Sequence, residues 1–244
     1  MDAMLRERWC LVLCYPTPSR ECCVQRLTEM RMLGVSHLIE GGGAEVWGVR
    51  VLGKGVSSVV VKGATFNGGI VALKVRRLDS RRESLLREAA ALREANRVGV
   101  GPKLYAYSRN MLVREYIAGV PLGHFASKGD PASLRKVLLK LARQLAALDS
   151  IGLAHNELAR FEDHVLVVEE RLLPVIIDFE SATFNARRSN VTQFFSFLLR
   201  RGPSNGLRRS LEIGLPEESL RALLRSYKAS RDIEAFILEL GLED

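Results

Sequence analysis

The sequence predicts an α+β fold in which a β-rich first part is followed by a mainly helical second part. Residues 45–52, 56–62 and 70–76 are three strand candidates, separated by glycine-containing turns. Residues 134–150 instead carry apolar side chains at the spacing of a long amphipathic helix. Residues 175–182, VIIDFESA, place an acid directly after an apolar run, which is typical of a short strand buried on both faces.

Length and composition bound the class of protein. The 244 residues suffice for one larger domain or two smaller lobes with a real core. A hydrophobic content of 47% and a mean hydropathy of +0.03 exclude a disordered chain, and no apolar run approaches a membrane span. The N-terminus has no small-residue cleavage site, which argues against a signal peptide and makes the cytoplasm the expected location. The net charge of +8 permits nucleotide, RNA or acidic protein as partners, and equally a plain solvated basic surface.

The first forty residues precede every motif that suggests chemistry. Residues 8–15 alternate like a strand that ends at Pro16, and residues 21–33 have helical spacing that ends at Gly34. We expect an accessory extension over residues 1–40, or an extra layer on the first lobe. Zinc ligands would be spaced like C-x2-C, so buried thiols are favoured over a metal site, while an internal disulfide stays open; the cysteines are Cys10, Cys14, Cys22 and Cys23.

A glycine-rich segment, LGKGVSSVVVKG, joins the first two strands. Gly53 and Gly55 permit a tight turn with exposed N–H groups, and Ser57 and Ser58 add hydroxyl donors. Such a loop can lie over a polyphosphate, although most glycine-rich hairpins are only turns.

Lys74 stands inside the apolar strand VALKV, where a buried charge is costly without a partner. A helix predicted over residues 82–97 carries Glu83, Glu88 and Glu94. Glu88 is next to small alanines that allow close approach to a sheet, so we predict that it pairs with Lys74. An edge-strand lysine in water and solvated helix acids are the alternatives.

Two more strands, residues 103–107 and 111–117, bring the predicted number to five. Gly119 and Pro121 then indicate a linker to the helical part. The predicted domains are an N-terminal extension, a first lobe and a second lobe, at residues 1–40, 41–118 and 119–244.

The order of these motifs resembles the minimal RIO-type and related archaeal-type atypical serine/threonine protein kinases. The matching motifs are GKGVSSVV, VALK, REAAALREA, HNEL and DFE, spread over residues 46–197. The resemblance implies a bilobal protein-kinase-like fold, with a five-stranded antiparallel N-lobe that carries one helix and a reduced, mainly helical C-lobe.

The resemblance also implies a site for ATP and a divalent ion, Mg²⁺ or Mn²⁺. Lys74, held by Glu88, would contact the α- and β-phosphates, and Asp178 would bind the ion. The glycine-rich loop would cover the triphosphate and the interlobe hinge would hold adenine through its main chain; these residues are Gly53, Lys54, Gly55, Ser57, Ser58, Glu115, Tyr116 and Ile117.

Three positions depart from the family pattern: Glu157, Glu180 and the second metal ligand. The family's acceptor Asp is replaced by Glu157 in the HNE segment, whose side chain is one methylene longer. Arg160 nearby would neutralise charge on the transferring group. Glu180 replaces the glycine that follows Asp-Phe.

The third departure concerns the second metal ligand. At the position of the family's Asn this chain has Glu162, followed by Asp163 and His164. The apolar pattern HVLV matches the family's residues after the Asn, so His164 could instead take the place of the Asn, across a loop two residues longer. Magnesium would favour Glu162 or Asp163, whereas manganese would tolerate His164. The choice stays open.

The function implied by the resemblance is transfer of the γ-phosphate of ATP to a protein Ser or Thr hydroxyl, on the chain itself or on a partner. The chain lacks a recognisable Ala-Pro-Glu segment, so the acceptor stays open. Two alternatives remain: a nucleotide-binding scaffold without transferase activity, and an RNA- or ribosome-associated ATPase. Basic pairs such as Arg200–Arg201 and Arg208–Arg209 permit polyanion binding, but a solvated surface is favoured.

Overall fold

The computed structural model describes residues 3–128, 130–160, 164–199 and 215–242. The chain divides into two compact units. The first contains the residues up to Ala90 together with Lys103–Tyr116, and the second contains Ala91–Pro102 together with the residues from Ile117 onward. Both α-helices and antiparallel sheets are present, so the predicted α+β class is confirmed.

The first unit is built mainly from strands. Its described elements are α1 (Ala3–Leu13), α2 (Arg20–Met32), β1 (Val35–Ile39), β2 (Ala44–Val46), β3 (Val49–Val51), β4 (Gly53–Lys54), β5 (Ser58–Thr65), β6 (Ile70–Arg76), the start of α3 (Leu86–Arg97), β7 (Leu104–Tyr107) and β8 (Met111–Glu115).

Six of these strands form one antiparallel sheet in the order β1-β5-β6-β8-β7, with β4 paired to β5. The sheet therefore differs from the five predicted strands in three places, one of which is the unpredicted short strand β4. Strand β1 was not predicted. The predicted strand over residues 45–52 is interrupted by positive φ angles at Trp47 and Gly48 and becomes the separate hairpin β2–β3.

The two faces of this sheet have different neighbours. One face has an apolar centre that packs against α1 and α2; the buried members of this centre on β6 and β8 are Val71, Leu73, Val75, Met111 and Val113. Cross-strand partners share a face, so the opposite face carries Lys74 with its partner Leu112 and Ala72 with its partner Arg114.

The predicted strand over residues 8–15 is wrong. These residues belong mostly to helix α1, whose buried side chains Trp9, Val12 and Leu13 follow helical spacing. The predicted helix over residues 21–33 is present as α2 and begins at the N-cap Ser19. The cysteines join the two helices through disulfides Cys10–Cys23 and Cys14–Cys22, which corrects the preference for buried thiols.

The second unit is mainly helical. It contains the rest of α3, β9 (Val120–Pro121), α4 (Leu122–Ser127), α5 (Pro131–Ser150), β10 (Val165–Val168), β11 (Leu173–Ile176), α6 (Asn190–Phe195), α7 (Glu217–Ser230) and α8 (Ile233–Leu240). Strands β9, β10 and β11 form a small antiparallel sheet.

Helix α5 is the core of this unit, as its periodicity predicts. Its seven buried side chains are Leu134, Val137, Leu138, Leu141, Ala142, Leu145 and Leu148. The basic pairs at residues 200–201 and 208–209 lie outside the described residues. In the described part of the chain, every helix is too short or too polar to cross a membrane.

Candidate functional site

The glycine-rich loop is a tight turn between β4 and β5. The Gly55 N–H donates to the Ser58 carbonyl at 2.9 Å, and the Arg77 guanidinium donates to the Gly55 carbonyl at 2.8 Å. Ser57 and Ser58 are buried, while Val56 at the tip is 90% exposed. The turn is therefore formed and braced from one side by an arginine that the sequence did not single out.

The N-terminal extension also contacts this loop. The Lys54 ammonium and the Arg77 guanidinium each lie 4.8 Å from the centroid of the Tyr15 ring, which the Trp47 ring meets edge-on. The Leu78 N–H donates to the Tyr15 carbonyl at 2.9 Å. The segment that follows α1 thus positions the loop residue Lys54.

Lys74 and Glu88 form a buried ion pair. The Lys74 Nζ lies 2.9 Å from Glu88 Oε1 and 2.8 Å from Oε2, and the side chains are 2% and 4% exposed. Strand β6 and the first turn of α3 supply the two groups. A lysine so held is aligned, with its charge already partly neutralised.

The residues predicted to form the hinge lie at the end of β8 and just after it. The Glu115 N–H donates to the Lys103 carbonyl at 2.8 Å, and its carboxylate accepts from the Lys103 N–H at 3.1 Å. The Tyr116 ring lies 4.8 Å below the Lys62 ammonium. Ile117 is the first residue of the second unit after the strand. A base at this strand end would have to use main-chain groups other than the Glu115 N–H.

In the second unit, three predicted site residues converge. One ligand atom each from Glu157, His164 and Asp178 lies within 4.8 Å of the others. Glu157 follows α5, His164 precedes β10 and Asp178 follows β11. The Ile177 N–H donates to the His164 carbonyl at 2.9 Å, which fixes the ends of the β10–β11 hairpin beside each other.

The Glu157 carboxylate already interacts with two neighbours. Its Oε1 accepts from the Ser181 hydroxyl at 3.0 Å, and its Oε2 lies 3.8 Å from His164 Nε2. The longer side chain of glutamate therefore reaches a hydroxyl group from its place in the HNE segment.

His155 organises the segment from within. Its ring is fully buried, and its Nε2 donates to the Ile177 carbonyl at 2.9 Å, since a carbonyl can only accept. The ring packs edge-on against Phe179, with centroids 5.1 Å apart. His155, two residues before Glu157, therefore links the HNE segment to Ile177 and Phe179, the two residues that flank Asp178.

The backbone at two of these positions is unusual. Asn156 and Asp178 have φ angles of +72° and +65°, in the left-handed region. Asn and Asp adopt this region more readily than other non-glycine residues. Such conformations persist only where the surrounding structure holds them, and they are frequent at functional sites. The position of the Asp178 carboxylate is thus set by its backbone.

A buried polar network that the sequence analysis missed holds the HNE segment. Asp149, at the end of α5, accepts from the Ser189 hydroxyl at 2.7 Å and from the Asn190 side chain at 2.8 Å. The Asn190 side chain also accepts from the His155 N–H at 2.8 Å and donates to the Leu153 carbonyl at 2.8 Å. The Ser-Asn pair before an apolar helix is a helix-start signal that pointed to this position.

Helix α7 completes the network. The Tyr227 hydroxyl donates to Asp149 at 3.1 Å, and the Arg231 guanidinium pairs with the same carboxylate at 3.1 Å. Burial, and then the nearby Asp149 carboxylate, raise the pKa of Tyr227 far above its usual range.

The remaining predicted residues are less informative. Arg160 ends a short 3-10 turn, Leu158–Arg160. Glu162 and Asp163 lie outside the described residues. Glu180 follows Phe179 directly and is half-buried.

The converging groups fit a divalent ion. Two carboxylates and one imidazole offer three ligands from one side, which leaves positions for water or phosphate oxygens. Manganese accepts such a mixed oxygen–nitrogen set more readily than magnesium does.

An open pocket of about 470 Å³ lies beside the HNE segment. Its described lining is polar or basic and includes no carboxylate: Asn156, Ala159, Arg188, Ser189, Thr192, Gln193, Ser196 and Lys228.

Comparison with family models gives a match over more than half of the chain. The family model described as the RIO domain matches residues 65–196, which are 132 of the 244 residues. The match begins after the glycine-rich loop and includes Lys74, Glu88, Glu157, His164 and Asp178. No curated protein matches the chain significantly.

Proposed function

Because the chain belongs to the RIO domain family of atypical kinase-like proteins, we propose that it is an ATP-dependent protein kinase. It transfers the γ-phosphate of ATP to a Ser or Thr hydroxyl, on a partner protein or on itself. The observation that carries this proposal is the convergence of Glu157, His164 and Asp178 from three separate segments. Phosphoryl transfer depends mainly on positioning and charge neutralisation, so few groups suffice.

In the first unit, Lys74 contacts the α- and β-phosphates, and Glu88 fixes its ammonium. Support comes from the buried pair between Lys74 on β6, the strand paired to β5 after the glycine-rich loop, and Glu88 on α3. The main chain of residues 53–58 covers the triphosphate, and the main chain of residues 115–117 holds the base.

In the second unit, Asp178 and His164 hold the divalent ion, Mg²⁺ or Mn²⁺, with Glu162 as the alternative second ligand. When bound, the ion neutralises charge on the phosphate oxygens. Glu157 orients the acceptor hydroxyl and accepts its proton, in the way that it now accepts from the Ser181 hydroxyl. Arg160 neutralises charge on the transferring group.

We assign a bilobal kinase-like fold to the chain, with lobe bounds that differ from those of the two compact units, since Ala91–Pro102 belong to the second unit. Residues 41–118 form the N-lobe, residues 119–244 form the C-lobe, and residues 1–40 form an extension that supports the glycine-rich loop through Tyr15. The cytoplasm remains the predicted location, although disulfides inside cells are typical mainly of hyperthermophiles or of redox-active sites.

The test is transfer of labelled γ-phosphate from ATP, with Mg²⁺ and with Mn²⁺. Wild-type protein is expected to label itself or an added protein acceptor, and Asp178→Ala to abolish the label. Glu170→Ala is the matched control, since Glu170 is an exposed acid of the same unit. If ATP raises the melting temperature but neither metal supports labelling, the chain is a nucleotide-binding scaffold and not a kinase.

A further inference from the structure

The open pocket beside the HNE segment has no role in the proposed chemistry. Its volume is about 470 Å³, which is large enough to take a side chain or a small ligand. All of its described lining residues belong to the second unit. They include two cations, Arg188 and Lys228, and no carboxylate. We call this cavity the basic pocket.

The two cations of the basic pocket are available to a ligand. Both residues are exposed, and neither side chain has a hydrogen-bond or ion-pair partner among the described residues. Two like charges on one concave surface raise the local positive potential and attract an anion. The lining therefore selects for negative charge.

The hydroxyl groups of the lining already donate elsewhere. Ser189 donates to the Asp149 carboxylate at 2.7 Å. Thr192 donates to the Ser189 carbonyl at 3.1 Å, and Ser196 donates to the Gln193 carbonyl at 2.7 Å. Recognition of an anion in the basic pocket therefore depends on the two cations.

The acid that contacts the lining does not cancel these charges. The Asp149 side chain is only 1% exposed, and the Arg231 guanidinium pairs with it at 3.1 Å. Its charge is compensated from the side of helix α7. The positive charge of Arg188 and Lys228 thus remains available to a ligand in the pocket.

The basic pocket adjoins the segment to which the acceptor hydroxyl is assigned. Asn156 and Ala159 line the pocket, and Glu157 lies between them in the chain. The Glu157 side chain is 33% exposed. An extended peptide advances about 3.3 Å per residue, so a peptide whose hydroxyl reaches Glu157 carries a residue close in sequence past the pocket.

We infer that the basic pocket binds an acidic side chain, Asp or Glu, of the acceptor protein, close in sequence to the phosphorylated hydroxyl. This inference rests on the proposed function. A guanidinium matches the geometry of a carboxylate, and an ammonium adds a point charge. A nucleic acid fits less well, since the described lining has no aromatic ring for base stacking and only two cations for a phosphate backbone.

The test measures phosphate transfer from ATP to synthetic peptides. Each peptide has one serine among neutral residues and a single glutamate at successive positions around it, and its control has glutamine there. Wild-type protein is expected to prefer glutamate over glutamine about three- to tenfold in kcat/KM at one or more positions, which corresponds to two partly solvated ion pairs. The gain is expected in KM rather than kcat, and to shrink in high salt.

The double variant Arg188→Gln, Lys228→Gln is expected to lower the glutamate/glutamine ratio to about one. Both residues are exposed, so the variant is expected to keep the melting temperature of the wild type. The double variant Lys136→Gln, Arg171→Gln makes the same chemical changes at exposed positions of the second unit outside the pocket lining, and is expected to keep the ratio of the wild type.

The outcomes separate this inference from the proposed function. If serine peptides are phosphorylated but the ratio is about one at every position in the wild type, the inference is refuted while the kinase proposal stands. If the glutamate preference persists in Arg188→Gln, Lys228→Gln, the acid binds elsewhere and the inference is again refuted.

A binding measurement decides the case in which no peptide is phosphorylated and the kinase proposal fails for these acceptors. Fluorescence anisotropy of the labelled peptides then tests the pocket alone. Tighter binding of the glutamate peptide, lost in Arg188→Gln, Lys228→Gln, would keep the acidic ligand, whereas equal binding of both peptides would refute it. If a uridine oligonucleotide binds the wild type more tightly than the glutamate peptide and loses its affinity in the same variant, the pocket contacts nucleic acid and the inference is overturned.

Discussion

Lys74 and Glu88 show what a buried charge costs and what keeps it in place. Both side chains are almost fully buried, so each has lost most of its hydration, and each compensates part of the charge on the other. Such a pair contributes little net stability compared with well-packed apolar residues, but removing one partner strands the other charge.

Lys74→Met is therefore expected to lower the free energy of unfolding by about 3–5 kcal/mol. The double variant Lys74→Met, Glu88→Leu is expected to recover most of this loss, since both charges of the pair are removed together. Urea denaturation followed by circular dichroism measures both. A loss below about 1 kcal/mol in the single variant would mean that solvent, rather than Lys74, compensates the Glu88 carboxylate.

The sequence predicted this pair because a lysine inside an apolar strand is conspicuous, and a helix glutamate beside small residues is a natural partner. Arg114 was equally visible in MLVREYIAG but gave no such signal. In the structure Arg114 is buried, and its Nε has no hydrogen-bond partner among the described residues. Those are tertiary facts, which local pattern does not contain.

At the scale of elements, helices α1 and α2 show where the hydrophobic pattern does not distinguish a strand from a helix. Residues 8–15 are hydrophobic except for Arg8, and such a short apolar run fits both a strand and a helix. The structure resolves the ambiguity through packing of Trp9, Val12 and Leu13 and through two disulfides to α2. The hairpin β2–β3 was missed for a related reason. Its turn needs positive φ angles at both Trp47 and Gly48, and a sequence indicates such an angle at a glycine but not at a tryptophan.

Helices α5, α6 and α7 meet at the Asp149 carboxylate, and this contact gives a prediction about pH. Burial raises the pKa of Tyr227 in the folded chain, whereas the unfolded value is about 10. Below about pH 10 both states hold the phenol proton, and above it the unfolded state releases the proton first. The stability that depends on the neutral phenol is therefore full below about pH 10 and falls as the pH rises.

We expect the free energy of unfolding to fall more steeply between about pH 9.5 and 11 in the wild type than in Tyr227→Phe. The variant removes this one group, while lysines and the other tyrosines titrate alike in both proteins. Chemical denaturation at several pH values gives the two slopes. Parallel slopes would show that the Tyr227 hydroxyl is solvated in the folded chain.

At the scale of the whole molecule, the proposed chemistry is divided between two compact units. The first holds Lys74 and the glycine-rich loop, which concern the nucleotide. The second holds Glu157 and Asp178, which concern the acceptor and the ion. Both sets were predicted from the order of the motifs along the chain. The Asp149–Asn190 network, which supports the second set, joins residues 41 apart; the local pattern at residues 189–190 indicates a helix start but not this long-range partner.

This division predicts that a variant can lose phosphate transfer and still bind ATP. Glu157→Gln keeps the size of the side chain and its hydrogen bond from Ser181, but loses the carboxylate that accepts the proton. Phosphate transfer is expected to fall by about 10²–10⁴-fold, while the rise in melting temperature caused by ATP stays that of the wild type. Glu170→Gln, the same change at an exposed position, is expected to alter neither quantity. Equal transfer rates in Glu157→Gln and wild type would assign the proton to another group, and loss of the ATP-induced rise would place Glu157 in nucleotide or metal binding instead.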